Sequence, residues 1–215
     1  MIQLTRAGLV ADGEDVEALR IKFEKEHWVR LPALLDPQLL SLALSYIEQG
    51  RWRENVVSGS VSYSEYVLEN GAAVNLLFFV SNAPRFLQTI GEITGCDSLT
   101  WFEGRVYRMA PNIGHTDNWH NDFADGRLVA MSLNLSPRGY RGGTFQMRER
   151  ESRRILAEIP NTGLGDAIFF RISRDFQHRV TDVETGESKT AFAGWFSNRQ
   201  SIRERIGGQA SAGIR

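Results

Sequence analysis

From residue 99 onward the chain consists of short β-type runs, and this pattern limits the fold more than any other feature. The runs are rich in β-branched and aromatic residues and are separated by Gly, Asn, Asp and Pro. They lie at 99–109, 127–135, 143–148, 155–159, 166–172, 178–183 and 189–196. Strands at this spacing predict an antiparallel sandwich or jelly roll.

The first 98 residues are predicted to give helical support to these strands. Apolar residues recur at helical spacing in three stretches, which end near Trp28, Gly50 and Gly95. The second stretch begins at Asp36-Pro37, an N-cap residue followed by proline at the first helical position. We therefore expect helices before the β-rich region.

Two segments fit neither pattern. Residues 51–75 are polar and irregular, and we expect either a lid over a substrate site or a surface connection. The tail at 201–215 contains Gly, Ala and Ser and is expected to be frayed. With 42% hydrophobic residues and no internal repeat, the chain is expected to form one domain, with helical support at 1–98 and a core at 99–200.

The composition argues against several classes of partner. A net charge of −1 and a pI near 6.4 leave no basic field for broad nucleic-acid binding. The single Cys96 cannot form an internal disulfide, which fits a reducing cytosol. The acidic N-terminal stretch is unlike a signal peptide, and apolar runs such as 74–80 are too short to span a bilayer. We expect a soluble cytoplasmic protein with no membrane or nucleic-acid partner.

Three residues in the β-rich region have the chemistry of a metal site. His120 and Asp122 form a His-x-Asp pair, and a lone His178 lies 56 positions beyond Asp122. Residues two apart in a strand point to the same side, so this imidazole and this carboxylate can meet at one point. Two histidines and one carboxylate form the facial triad that binds non-haem Fe(II). Without a partner thiol, a structural zinc site of the thiolate type is not expected.

The motif alone leaves a rival open. His115-Thr116-Asp117 is a second His-x-Asp pair, which starts five residues upstream of the first. A lone histidine such as His178 is also often a structural or surface residue rather than a ligand. From these residues by themselves, both the choice of pair and the presence of a metal stay open.

A longer series of motifs surrounds the metal triad in a fixed order. The series consists of Tyr107, Trp119-His120-Asn121-Asp122-Phe123, Asp125-Gly126-Arg127, Gly142-Gly143-Thr144-Phe145, the run from Gly165 to Phe170, His178-Arg179-Val180, and then Val183, Gly186, Lys189, Trp195 and Phe196. In this order the segment resembles the Fe(II)/2-oxoglutarate-dependent dioxygenases, in particular their prolyl-hydroxylase-like and phytanoyl-hydroxylase-like branches.

The resemblance implies a fold and selects between the rival pairs. It implies a mostly β protein whose core is a double-stranded β-helix, a cupin-like jelly roll flanked by α-helices. The Asp-Gly-Arg segment that follows the family's metal pair stands at the expected distance from His120, whereas His115 is too far upstream. The resemblance therefore implies His120, Asp122 and His178 as the metal ligands.

The resemblance also implies a residue that binds the co-substrate. In this family a basic residue about ten positions after the distal histidine binds the remote carboxylate of 2-oxoglutarate, and Lys189 stands eleven after His178. Strand periodicity supports this role, because Lys189, Ala191, Ala193 and Trp195 share one face. A buried lysine also needs an anionic partner. The alternative is a surface lysine that follows a turn.

Five further residues are candidates for the site, each with a structural alternative. Tyr107 and Asn134 are expected to contact the co-substrate, unless they are a core aromatic residue and a strand-end turn residue. Arg127 is expected to face the substrate or to pair with Asp125. Trp119 and Trp195 wall the substrate pocket or pack in the core.

The resemblance implies Fe(II) as the metal and 2-oxoglutarate and O2 as co-substrates. The expected reaction is hydroxylation of an unactivated C–H bond, with release of succinate and CO2. Halogenases of this family replace the ligating carboxylate with a small residue, so the presence of Asp122 favours hydroxylation. Desaturation or cyclisation stays open.

The substrate is not specified by the sequence. We expect a small molecule or an amino acid, and the first alternative is a peptide or protein side chain, as for prolyl hydroxylases. A nucleic-acid dealkylase is disfavoured, because Lys189 stands where the first of its usual two arginines would be. Further alternatives are a non-catalytic cupin-like binding module and a zinc hydrolase, for which no general base is evident.

Overall fold

Helices and strands alternate in the first part of the chain, whereas the second part is built from strands. The computed structural model describes residues 1–58, 62–69, 71–96, 98–124, 126–160 and 162–198. Within these ranges the helices are α1 (Gly13–Glu26), α2 (Pro37–Glu48), α3 (Ala72–Ser81) and α4 (Pro84–Thr94). The strands are β1 (Ile2–Thr5), β2 (Gly8–Ala11), β3 (Trp28–Leu31), β4 (Trp52–Val57), β5 (Tyr63–Leu68), β6 (Trp101–Met109), β7 (Arg127–Asn134), β8 (Tyr140–Gly142), β9 (Phe145–Glu149), β10 (Ile155–Ile159), β11 (Ala167–Arg171), β12 (Phe176–Val180), β13 (Val183–Gly186) and β14 (Lys189–Ser197).

A seven-stranded antiparallel sheet organises the fold. Its strand order is β3-β11-β7-β14-β6-β5-β4, which places β14 between β7 and β6. A smaller sheet has the order β10-β9-β12, and β13 pairs with β8. His120 and His178 form an isolated backbone bridge. The segment around His120 therefore lies beside the free edge of β12.

The chain passes back and forth between the large and the small sheet. It leaves β6 in the large sheet, reaches the His120 segment beside β12 in the small sheet, and returns to β7 in the large one. It then forms β9 and β10 in the small sheet, β11 in the large, β12 in the small and β14 in the large. This alternation is that of a double-stranded β-helix, so the predicted jelly-roll core is confirmed.

The two faces of the large sheet have different roles. One face packs against the helices through buried phenylalanines: Phe86 of α4 contacts the rings of Phe169 and Phe196, and Phe102 contacts Phe196 and Phe192. The opposite face of β14 is left to line the interior of the jelly roll. The aromatic core therefore fixes the sheet whose other face carries the candidate site.

The helix predictions are confirmed with small shifts at the ends. Helix α2 begins after Asp36, whose carboxylate accepts a hydrogen bond from the Leu39 backbone N–H at 2.6 Å. It ends at Glu48, two residues before the predicted stop. Gly50 is needed for another reason, because a Cβ atom there would collide with the Leu68 side chain.

The prediction for the first 98 residues was wrong in part. Besides helices they contain the strands β1 to β5, and the segment 51–75 is mostly the hairpin β4–β5, followed by the start of α3. This hairpin extends the large sheet at its edge, where several outward side chains are exposed. Polar residues at an exposed edge hide the alternation that marks a strand. The predicted tail 201–215 lies outside the described residues.

None of the helices in the described ranges is both long enough and apolar enough to cross a membrane.

The aromatic core gives a stability prediction. Phe102 is fully buried and its ring centre lies 4.6 Å from that of Phe196. We expect Phe102→Ala to lower the free energy of unfolding by about 3–5 kcal/mol, because it leaves a cavity at the centre of the ring cluster. Phe79→Ala is the matched control, since Phe79 is 79% exposed and its loss should change stability by less than about 0.5 kcal/mol. Urea denaturation followed by fluorescence measures both, and equal losses would contradict this view of the core.

Candidate active site

The three predicted metal ligands lie together inside the jelly roll. His120, Asp122 and His178 each offer a ligand atom, and these atoms lie within 4.8 Å of one another. The Nε2 atom of His178 is 3.3 Å from Asp122 Oδ2, and Nε2 of His120 is 3.6 Å from Asp122 Oδ1. Two imidazoles and one carboxylate that converge in this way can hold a divalent metal on one face.

Backbone pairing brings the two histidines together. The His120 N–H donates to the His178 carbonyl at 3.1 Å, and the His178 N–H donates to the His120 carbonyl at 2.8 Å. The two residues are thus directly opposed on neighbouring strand segments. Asp122 follows two positions later and points to the same side. The local geometry of the triad is therefore set by strand pairing and by the His-x-Asp spacing.

The ring of His120 is oriented by its other nitrogen. Its Nδ1 lies 2.7 Å from the Asn118 carbonyl and 3.3 Å from Asp117 Oδ1. A carbonyl only accepts a hydrogen bond, so Nδ1 carries the proton and Nε2 keeps the lone pair that a metal needs. Asp117 is itself fixed, because its Oδ2 accepts a hydrogen bond from the Val180 N–H at 2.8 Å.

The rival pair His115–Asp117 is not a chelate. The Nδ1 atom of His115 accepts a hydrogen bond from the Ala110 N–H at 3.0 Å, and its ring packs edge-on against Tyr66. Asp117 instead supports His120, as described above. The second His-x-Asp pair thus contributes a carboxylate beside a ligand, a role that the sequence did not indicate.

The ligating carboxylate is held by the last strand. The indole Nε1 of Trp195 donates to Asp122 Oδ2 at 2.6 Å. Burial alone would raise the pKa of Asp122, but the hydrogen bond and charge of His178, the charge of His120 and the Trp195 N–H hold that pKa well below its ordinary value. Asp122 is therefore a carboxylate at neutral pH, as a metal ligand must be.

Lys189 is a buried cation at the start of the same strand. It is 8% exposed, and its Nζ donates to the Gly143 carbonyl at 3.0 Å and to the Tyr140 hydroxyl at 3.3 Å. Burial lowers its pKa to about 8, against the opposing effect of the Asp117 charge. No carboxylate among the described residues forms an ion pair with it. A buried ammonium in this state is suited to an anionic ligand.

The double glycine of the sequence makes room for this lysine. Gly142 and Gly143 both have positive φ angles, +76° and +60°. A Cβ atom on Gly143 would lie 2.9 Å from the Tyr140 ring and 3.2 Å from Cδ of Lys189. Glycine is needed here both for the backbone conformation and for the close approach of the lysine stem.

A cavity of about 380 Å³ joins the metal triad to the large sheet. Its floor includes the small side chains of Ser132 and Ala193. A smaller cavity reaches Lys189 and shares the lining residues Ser132, Phe145 and Val180 with the first. The main cavity is also lined by Glu65 and Arg105, which sequence reasoning missed.

A model of the 2OG-Fe(II) oxygenase superfamily matches residues 104–197. This segment is therefore similar to that superfamily. Members of the superfamily use Fe(II), 2-oxoglutarate and O2. The matched segment begins in β6 and ends with β14, so it contains the metal triad and Lys189.

Solved structures are similar to nearly the whole chain. A 2OG-Fe(II) oxygenase family oxidoreductase from Burkholderia pseudomallei is 15% identical, with a TM-score of 0.68, and the match covers 94% of this chain and 98% of that one. A Pseudomonas putida prolyl-4-hydroxylase is 18% identical, with a TM-score of 0.64 and coverage of 86% and 100%. The epimerase SnoN of nogalamycin biosynthesis, in complex with Fe3+, α-ketoglutarate and nogalamycin RO, is 12% identical, with a TM-score of 0.61 and coverage of 87% and 85%. No curated protein matches the sequence.

The supporting site candidates have mixed outcomes. Tyr107 and Trp195 line the main cavity, as does Arg127, whose guanidinium stacks on the Trp195 ring at 3.6 Å. Asn134 lines only the smaller cavity, and its amide donates to the carbonyls of Thr162 and Gly163. These contacts fit a polar residue at the end of a strand, and the predicted contact of Asn134 with the co-substrate stays a prediction.

The prediction for Trp119 as a pocket wall was wrong. The guanidinium groups of Arg148 and Arg179 lie over its ring, at 4.0 and 4.7 Å from the ring centre, and Trp119 does not line the main cavity. Trp119 immediately precedes His120, so in extended backbone it points to the opposite side. The outward direction of Trp119 follows from the inward direction of His120.

The Trp195 hydrogen bond gives a prediction for metal binding. We expect Trp195→Phe to weaken Fe(II) binding by about 10–100-fold, because it keeps the ring but removes the N–H that orients Asp122. Trp52→Phe on β4 is the matched control and should leave the affinity unchanged. Anaerobic Fe(II) titration by calorimetry measures both, and an unchanged affinity in Trp195→Phe would show that the indole N–H does not position the ligand.

Proposed function

We propose that this protein is an Fe(II)- and 2-oxoglutarate-dependent hydroxylase of an unactivated C–H bond in a small molecule or amino acid. In the balanced reaction, the substrate, 2-oxoglutarate and O2 give the hydroxylated product, succinate and CO2. The observation that carries the proposal is a buried lysine without a carboxylate partner in the described residues, in a small cavity that shares Ser132, Phe145 and Val180 with the main cavity, which the metal triad lines.

His120, Asp122 and His178 would hold the iron. The set fits Fe(II), since it mixes imidazole nitrogen with carboxylate oxygen, and the lowered pKa of Asp122 keeps its carboxyl group ionised. When bound, the iron supplies the activation of O2 that the organic side chains cannot. The protein's part is to fix the ligands through the Asn118 carbonyl and the Trp195 indole.

Lys189 would bind the remote carboxylate of 2-oxoglutarate. Its stem is held against Gly143 and Tyr140, so the ammonium is positioned before the ligand arrives. Tyr107 lies on the neighbouring strand, directly opposite Ala191, and we propose it as a further contact. Ala191 and Ala193 stand between Lys189 and Trp195 on this face, and we propose that the co-substrate lies over these small side chains, between the lysine and the triad.

Hydroxylation is favoured over halogenation, because Asp122 occupies the position that halogenases of this family keep open. The second candidate is hydroxylation of a peptide or protein side chain. It is supported by the structural likeness to a prolyl-4-hydroxylase and by Phe123, which lines the cavity while 46% exposed, so a larger substrate can contact it.

Anaerobic addition of Fe(II) and 2-oxoglutarate to the apoprotein tests the proposed function. We expect the weak visible absorption of an iron–2-oxoglutarate chelate in the wild type, its loss in His178→Ala and its weakening in Lys189→Ala. Succinate release then reports turnover. If the folded, iron-loaded wild type gives no absorption, the protein is a binding module and the hydroxylase proposal fails.

The pKa of Lys189 predicts how 2-oxoglutarate binding depends on pH. Its pKa of about 8 in the folded protein lies below the ordinary 10.5, so the ammonium form is lost as pH rises through about 8. Affinity for 2-oxoglutarate should therefore fall above this pH, approaching about tenfold per pH unit. Lys189→Arg should remove this dependence because arginine stays charged. Calorimetric titration with 2-oxoglutarate at neutral and alkaline pH measures this dependence. If affinity falls equally with pH in the wild type and in Lys189→Arg, the role of Lys189 is contradicted.

A further inference from the structure

A charged pair lies in the wall of the main cavity, on strands next to β14. Arg105 of β6 and Glu65 of β5 both line the cavity, and Arg105 Nη2 lies 3.0 Å from Glu65 Oε2. The Arg105 Nε atom donates to the other oxygen of the same carboxylate. Glu65 is almost fully buried, whereas the Arg105 side chain keeps 29% of its surface exposed. The arginine, rather than the glutamate, is thus the more accessible member of the pair.

The guanidinium of Arg105 is held from several sides. Asn55 of β4 donates to Glu65 Oε1 at 3.2 Å and so helps to fix the carboxylate that binds it. The rings of Tyr63 and Tyr107 lie 5.2 and 5.6 Å from its central carbon. An arginine fixed by a carboxylate and two aromatic rings loses little freedom when it binds a ligand.

Part of the guanidinium is left unused. The pair with Glu65 engages Nε and Nη2, and Nη1 makes no hydrogen bond to any residue that the structure describes. Burial would lower the pKa of Arg105, but the charge and hydrogen bonds of Glu65 raise it above its ordinary value, so the cation persists. The unused edge is therefore a permanent cationic donor in a cavity wall.

Stability alone does not account for such a pair. An ion pair removed from water is often no more stabilising than apolar side chains of similar volume, because desolvation offsets the attraction. The strands β5 and β6 are already joined by backbone pairing at Tyr66–Arg108 and Val67–Tyr107. A charged pair that faces the cavity is better explained by recognition of a polar ligand.

The register of the sheet separates Arg105 from the co-substrate lysine. Arg105 lies opposite Ala193 on β14, whereas Met109 lies opposite Lys189. Lys189 and Ala193 are four positions apart, which corresponds to about 13 Å along the strand. Arg105 is thus displaced toward the Trp195 end of β14, where Asp122 is bound, and away from the end that carries Lys189.

We propose that the free edge of Arg105 binds a carboxylate of the primary substrate. The inference rests on the proposed function and narrows it to small molecules that carry a carboxylate, such as amino acids and organic acids. A guanidinium presents parallel N–H groups that match a carboxylate. An uncharged residue within a peptide lacks this group.

The test compares acids with their neutral analogues. Protein loaded with Fe(II) and 2-oxoglutarate is given the proteinogenic amino acids and short aliphatic monocarboxylates, each paired with its primary amide, and succinate release is measured. Loss of a hydrogen bond to a charged group costs about 1.5–3 kcal/mol. We therefore expect the wild type to prefer an acid over its amide in kcat/KM by roughly 10–100-fold. Arg105→Gln should reduce this ratio to near one.

Two further variants keep the test decisive. Arg108→Gln is the matched control, because Arg108 lies on the same strand but points to the opposite face, where it stacks on Trp52, and it should keep the acid preference. If Arg105→Gln does not fold, Arg105→Met combined with Glu65→Leu removes both charges and leaves no unpaired carboxylate.

The outcomes separate this inference from the proposed function. Absence of iron and 2-oxoglutarate binding in the wild type would refute the proposed function itself. If both bind, but no acid stimulates succinate release, or amides work as well as acids, the role of Arg105 is refuted and the hydroxylase stands. An acid preference that survives in Arg105→Gln or in the double variant would also refute it.

Discussion

The structure depends on the antiparallel pairing of β14 with β6 on one side and β7 on the other. This pairing extends from Lys189 to Ser197 against β6, so the central strand has almost no freedom of register. One face buries Phe192 and Phe196 among the helices, and the other carries Lys189 and Trp195. A slip by one residue would exchange the faces. Burial of the phenylalanines therefore also sets the direction in which the lysine and the indole point.

The parts of the fold and site that the sequence predicted are those governed by strand periodicity and motif order. The strands after residue 99 were found because both faces of the large sheet are largely apolar or small, whereas the edge hairpin β4–β5 was missed because its outward residues are polar. The metal triad was found through the His-x-Asp spacing, but its choice over His115–Asp117 needed the motifs that follow it. Periodicity alone could not make that choice.

The remaining site residues depend on contacts that a sequence does not contain. Glu65 and Arg105 are forty positions apart and resemble ordinary surface charges until pairing brings β5 beside β6. Asn134 was predicted to contact the co-substrate, but its amide donates to the nearby carbonyls of Thr162 and Gly163. Strand periodicity predicts where a polar side chain points, and it does not predict whether a local partner has already satisfied it.

The hairpin β4–β5 is joined to the metal motif as well as to the large sheet. Its Ser64 N–H donates to the Thr116 carbonyl at 2.9 Å, and Tyr63 bridges Asp117, the carboxylate beside His120. The edge hairpin is thus hydrogen-bonded to the segment that carries Asp117, the carboxylate beside a predicted metal ligand. In evolution, an insertion or deletion that remodels the hairpin for a different molecule would also shift the iron's surroundings. Substitution of side chains that point into the cavity would change which molecule binds without moving the backbone beside the metal ligands.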